Sequence, residues 1–167
     1  PTTTMSPEDV DIISGGNACR LRFIDKVLSI TDTQYMKTLR EFKKILKQRN
    51  KALVIGNKKL VLLWNPPLYS ASKELWKKRD MFYLDFGPLF ENRWRENPEN
   101  NTGSIVFKGK QPKNKTDFFK ELESNVEKEI LLKTTICGAH KDRVSFMFNN
   151  KDLKETGSEG EKKLFLI

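Results

Sequence analysis

The chain holds one imidazole, His140, and two thiols, Cys19 and Cys137. An early cysteine, a distant histidine and then Asn149 and Asn150 are the residue types of thiol catalysis. A thiolate attacks, an imidazole takes its proton, and an amide orients the ring. Gly15-Gly16-Asn17-Ala18-Cys19 leads into an apolar-periodic run, and a thiol at a helix start has its pKa lowered by the dipole. The plainer reading is that Cys19 belongs to a core, since cysteines are often simply buried. His140 then sits at a hairpin tip. That reading is adopted, so no catalytic residue is assigned, and Cys19 and His140 stand as the candidates of a third-ranked alternative.

Other chemistries lack their residues. One His and two distant Cys give no zinc spacing, so neither a metal nor a cofactor is expected. No GxxxxGK[ST] or GxGxxG occurs to cradle a phosphate. Two cysteines make at most one disulfide, too few for a framework. Reduced thiols in an intracellular setting, cytoplasm or nucleus, fit better. No apolar run reaches 18 residues, so no membrane partner is expected. The sequons at Asn100 and Asn114 carry little weight without a signal-peptide pattern.

The Cys19 segment, with His140 and the following asparagines, resembles the cysteine box and chain order of papain-like and deubiquitinating peptidases. Those families place an aromatic or small apolar residue after the histidine; here Lys141, Asp142 and Arg143 follow. The resemblance implies a papain-like cysteine peptidase acting through Cys19 and His140.

Charge is distributed more tellingly. The net charge is +9, and residues 31–79 hold 13 Lys or Arg against three Asp or Glu. The remainder is close to neutral. Within that stretch Lys37, Arg40, Lys44 and Lys47 recur at steps of 3, 4 and 3, which makes a basic ridge on a helix. Lys58, Lys59, Lys77, Lys78, Arg79, Arg93 and Arg95 extend the positive field. Aromatic rings among cations are how single-stranded nucleic acid is gripped, with cations on phosphates and rings on bases. Trp64 and Trp76 read as core residues. Trp94 alone is expected to be exposed, because Asn-Arg-Trp-Arg-Glu-Asn offers it no apolar neighbour.

The elements that must position these residues follow from period and punctuation. Thr31 with Gln34 reads as a capping box. Tyr35, Met36, Leu39, Phe42, Ile45 and Leu46 form a helical stripe that Asn50 would end. Residues 52–55 and 60–64 read as strands around a Gly56-Asn57 hairpin turn, stopped by Asn65-Pro66-Pro67. Residues 17–30 read as a strand, 70–79 as a short helix and 81–86 as a strand ended by Gly87-Pro88. This is β-α-β-β-α-β, the ferredoxin-like order. A strand at 104–110, a helix capped by Thr116 or Asp117, a hairpin of 134–139 with 143–149 and a last strand at 164–167 complete it.

The expected fold is therefore α+β: β-α-β-β-α-β followed by β-α-β-β, with helices packed on one face of a mainly antiparallel sheet. Residues 1–10 read as a disordered lead, 11–90 as a basic lobe, 91–103 as a connecting loop and 104–167 as a second lobe. The pattern of strand, helix and hairpin in KALVIGNKKLVLLWNPPL, with SIVFKGKQPKNKTDFFKEL, resembles the N-terminal domain of Argonaute proteins. The expected function is a non-enzymatic nucleic-acid-binding module of a larger protein. It would be directed at the backbone through the basic helix face, with RNA ranked before DNA. The alternative is an interaction domain whose basic face meets an acidic protein partner.

Overall fold

The computed structural model describes residues 12–96 and 101–165. The expected lead at 1–10 lies outside them. The chain is mostly helical. Helices α1 (Asn17–Thr31), α2 (Thr33–Ile55), α3 (Lys58–Leu63) and α4 (Asn65–Arg95) come first. Strand β1 (Gly103–Lys108), helix α5 (Lys115–Leu132), a single 3-10 turn (Ala139–Lys141) and strands β2 (Arg143–Phe148) and β3 (Lys151–Asp152) follow. Short helices α6 (Leu153–Thr156) and α7 (Glu159–Phe165) come last. The sheet order is β1-β2-β3, antiparallel throughout, with Gly103 opposite Phe148 and Lys108 opposite Arg143.

The ferredoxin-like expectation is thus overturned, and the residues show why. Gly56 does adopt the left-handed conformation, at φ 74°, but as the C-cap of α2, its N–H reaching the Leu53 carbonyl. Asn57 then N-caps α3, its side chain accepting from the Leu60 N–H at 3.1 Å. A helix junction and a hairpin turn ask for the same two residue types. Asn65-Pro66-Pro67 starts a helix instead of stopping a strand, since the first helical turn has no use for proline's missing N–H. Helix α2 runs past Asn50, whose side chain accepts from Thr135 N at 2.9 Å and Thr135 Oγ1 at 2.7 Å. Its N-cap is Asp32, not Thr31, and α5 is capped by Asn114. The segments 17–30 and 81–86 are helical, and Pro88 lies inside α4. Residues 134–138 form no strand, and 159–165 are helical. Residues 166–167 lie outside the described part.

Two compact units are present: residues 12–27, 81–96, 101–108 and 143–165 form the first, and 28–80 with 109–142 the second. In the first, Val144, Phe146 and Phe148 alternate inward along β2. Phe82, Phe86, Phe90 and Trp94 follow one another at four-residue spacing on α4. Phe82 stacks on Phe86 at 5.1 Å between centroids, and Trp94 meets Phe148 edge to face at 5.6 Å. Tyr83 stacks on Phe107 of β1 at 4.5 Å. Arg20, buried, donates to the carbonyls of Val144 (2.7 Å), Ile13 (3.1 Å) and Gly15 (3.2 Å).

In the second unit Tyr35, Leu39, Phe42, Ile45, Ala52 and Leu53 form the buried stripe of α2. Leu68, Leu75 and Trp76 of α4 and Phe118, Leu122 and Val126 of α5 are buried in the same unit. Two buried ion pairs run through it. Arg49 meets Glu129 at 2.7 Å, and Arg79 meets Asp142 at 2.6 Å.

Candidate nucleic-acid interface

Helix α2 is built so that its core stripe and its cations separate. With 3.6 residues per turn, the positions that bury Tyr35, Leu39 and Phe42 leave 37, 40, 44 and 47 on the solvent side. Lys37, Arg40, Lys44 and Lys47 are all exposed. Among the described residues none of the four makes an ion pair. At 1.5 Å per residue the four span about 15 Å of helix axis, roughly the rise of four to five phosphates along one strand of a duplex. Lys43 and Lys51 are exposed on the same helix.

The other expected cations divide. Lys59, Lys77 and Arg95 are exposed. Lys58 pairs with Glu127 at 2.9 Å and Arg93 with Glu96 at 3.1 Å, both solvated pairs of little strength. Lys78 is half-buried and holds Asp32 at 2.7 Å; that bond and the Tyr35 N–H keep the Asp32 carboxyl below its usual range. Arg79 lies in the interior. It donates to Asp142 at 2.6 Å, the Ala139 carbonyl at 2.7 Å and the Tyr35 hydroxyl at 3.0 Å. Asp142 also accepts from Trp76 Nε1 at 2.9 Å and Lys110 N at 2.8 Å. Burial pushes the Asp142 carboxyl up, and Arg79 and the two N–H donors pull against it. Trp94 is 7% exposed, which corrects the expectation of an exposed ring: its apolar neighbours come from β1, β2 and its own helix. Trp76 is buried and Trp64 packs on a core cluster, as expected of both.

The thiols and the imidazole have separate surroundings. Cys19 lies in the first turn of α1, in the first unit, where Arg22 Nη2 donates to its Sγ at 3.2 Å. His140 lies in the second unit. Its Nε2 is 2.9 Å from the Thr135 carbonyl, so this nitrogen carries the proton. Its ring is 5.8 Å from Phe42, and among the described residues Nδ1 has no hydrogen-bond partner. Burial holds its pKa down at about 4, so it is a poor base at neutral pH. The Cys137 thiol donates to Glu121 at 3.2 Å and is pushed up to about 12, first by burial and then by Glu121. Among the described residues no group of acidic, His or Cys side chains could hold a metal, and no helix is long and apolar enough to cross a membrane.

Two concavities in the second unit escaped the sequence. A shallow one of about 680 Å³ runs along α2 between Lys43, Leu46, Lys47, Asn50, Lys51, Val54 and Ile55. A smaller one of about 270 Å³ lies between one face of α4 (Tyr69, Lys73, Trp76) and the segment from Gln111 to Lys115. Lys73 and Trp76 fall in the helix expected at 70–79; Tyr69 and the loop that closes the cleft do not.

Comparison with known proteins gives a context. The chain is 30% identical over 174 residues to the DNA replication and repair protein RecF of Flavobacterium johnsoniae, covering all of this chain and 48% of that protein. It is 32% identical over 164 residues to RecF of Lachnoclostridium phytofermentans, covering 95% and 45%. RecF of Leptospira biflexa is 29% identical over 165 residues. The chain thus spans about half the length of the curated relatives it matches. A solved structure described as the recombination mediator protein RecF-ATP in the RecFOR pathway superposes with a TM-score of 0.86 at 19% identity, over 97% of this chain and 47% of that one. That likeness shows the fold. No family model matches the chain.

Proposed function

We propose that this chain is part of a DNA replication and repair protein of the RecF kind, and that the exposed face of α2 contacts the DNA backbone. Similarity along the whole chain to proteins so named supports a nucleic-acid role, and favours DNA over the RNA ranked first from sequence. One observation carries the interface: four cations at helical spacing, all solvated and none in an ion pair among the described residues, on a 23-residue helix. Backbone recognition of this kind gives affinity without sequence readout. Lys59 and Lys77 supplement the ridge. Arg79 and Trp94 are left out, because burial withholds them from a ligand. The bacterial relatives favour a cytoplasmic over a nuclear setting.

The test is the full chain with Lys37, Arg40, Lys44 and Lys47 all changed to Gln, which keeps helix propensity nearly constant. Affinity should fall about equally for unrelated DNA sequences, and the salt slope should fall by roughly 0.7 to 0.9 for each phosphate no longer neutralised. The control changes Lys120, Lys128, Lys133 and Lys141 to Gln. Equal losses from both sets would mean attraction by net charge alone. A folded ridge variant with unchanged affinity would remove the DNA-backbone reading.

A second reading rests on the larger concavity. Val54 and Ile55 are exposed aliphatic residues, flanked by Lys43, Lys47 and Lys51. An acidic amphipathic segment of a protein partner fits that lining by its charge and its apolar residues. Val54→Ser with Ile55→Ser should abolish such binding while DNA affinity holds.

A further inference from the structure

Resting on the DNA reading above, we propose that the cleft between α4 and the loop before α5 is a binding site for one base and its flanking phosphates in single-stranded DNA. Tyr69, Lys73 and Trp76 stand at i, i+4 and i+7 on α4, so one helix face presents the Tyr69 ring and the Lys73 cation, with the Trp76 ring buried beneath them. Opposite them Gln111, Pro112, Lys113, Asn114 and Lys115 form the other wall. Proline fixes that wall, and the Asn114 side chain is held by capping α5 at Asp117 N, 2.9 Å away.

The lining is mixed as a nucleotide requires. The volume of about 270 Å³ is on the scale of a single nucleotide. Trp76 lies beneath the cleft: its ring is buried and its Nε1 is fixed to Asp142 at 2.9 Å, so it is a rigid support under the wall and not a surface for the ligand. Tyr69 is half-buried and held by Phe118 at 5.4 Å and Phe119 at 5.9 Å between centroids. A ring braced by two others can receive a base with little loss of rotamer freedom. The three ammonium groups are exposed, and among the described residues none is in an ion pair. Lys115 Nζ is poised over the Phe119 ring at 5.4 Å. Three cations converging on an aromatic-walled cleft that contains no carboxylate select an anion bearing a planar ring.

The experiment uses the full chain and a dT oligonucleotide carrying one 5-iododeoxyuridine. Illumination should crosslink that base to Tyr69, located by mass spectrometry of the peptides. Tyr69→Phe should bind like the parent, and Tyr69→Leu should bind about fivefold or more weakly, the loss of one base stack. Because Tyr69 also touches Phe118, a second variant guards against a folding defect: Lys73→Gln with Lys113→Gln and Lys115→Gln, all exposed. It should weaken oligonucleotide binding and lower the salt slope. Crosslinks only outside the cleft, with unchanged affinity in both variants, overturn the proposal; if the ridge variant still lowers affinity, the DNA reading survives it. Absence of binding to any DNA removes both. A mononucleotide, dTMP, binding as tightly as the oligonucleotide would assign the cleft to free nucleotides and overturn the single-strand claim.

Discussion

Trp94 lies across Gly103 so closely that a Cβ there would sit 2.6 Å from three of its ring carbons. No rotamer change of a buried indole at the end of a ring series relieves that. Gly103→Ala should therefore destabilise the chain by about 1–3 kcal/mol, the usual cost of overpacking. Urea unfolding measures it, and a wild-type midpoint would mean that the Trp94 ring yields freely. Trp94→Leu with Gly103→Ala should cost less than the two single changes together, because one removes the obstacle to the other. Arg49 makes a different case. Its guanidinium is fully buried with Glu129 at 2.7 Å, Thr135 Oγ1 at 2.8 Å and Asn65 Oδ1 at 3.1 Å. Arg49→Met strands a buried carboxylate and should cost about 3–5 kcal/mol. Arg49→Met with Glu129→Leu should recover much of that loss. A double variant no more stable than the single one would show that the remaining hydrogen bonds, including Ile136 N to Glu129 at 2.8 Å, carry the stability instead.

At the scale of elements, α2 is where sequence and structure meet most closely. Its stripe was legible, and Leu39 and Phe42 are 7% and 2% exposed. Leu39→Ala or Phe42→Ala should each cost about 2–5 kcal/mol, as for other large-to-small core changes. An unchanged melting curve for either would contradict the packing of α2. Strands β1 and β2 and the stripe of α5 were legible too, from alternation in one case and helical spacing in the other. What went unread lay in short apolar runs, whose period cannot separate strand from helix. Residues 52–64 show it: Gly56-Asn57 serves a hairpin and a helix junction equally, and only the caps made to Leu53 and Leu60 decide. Residues 81–86 read as a strand because aromatic residues favour strands. The four-residue spacing of Phe82, Phe86, Phe90 and Trp94 was the helical signal, and it also marked Trp94 as a core residue. Of the candidate site, the ridge on α2 could be read locally. The burial of Arg79 could not, because its partner Asp142 lies 63 residues away.

Stability against pH belongs to the whole molecule, since every titrating group contributes. Asp32 and Glu161 have lowered carboxyl pKa values, so their contributions are lost as pH falls through the ordinary carboxyl range and below it. Asp142, raised, acts in the opposite sense to them. Between the ordinary histidine value of 6.5 and about 4, His140 acts in one sense and the raised carboxyls of Asp142 and Asp80 in the other. At His140 the unfolded chain binds a proton that the folded chain refuses, so the unfolded state gains as pH falls. The His140 contribution is fully present above about pH 6.5 and is lost progressively towards pH 4. From the size of the shift the loss reaches about 2–3 kcal/mol by pH 4.5. His140→Gln tests this with a crossing. Glutamine can still donate to the Thr135 carbonyl but cannot titrate, so the variant should melt at or slightly below the parent at pH 7.5 and above it at pH 4.5. Parallel melting curves at both pH values would show that His140 takes up its proton as readily folded as unfolded, and that burial beside Phe42 does not hold it neutral.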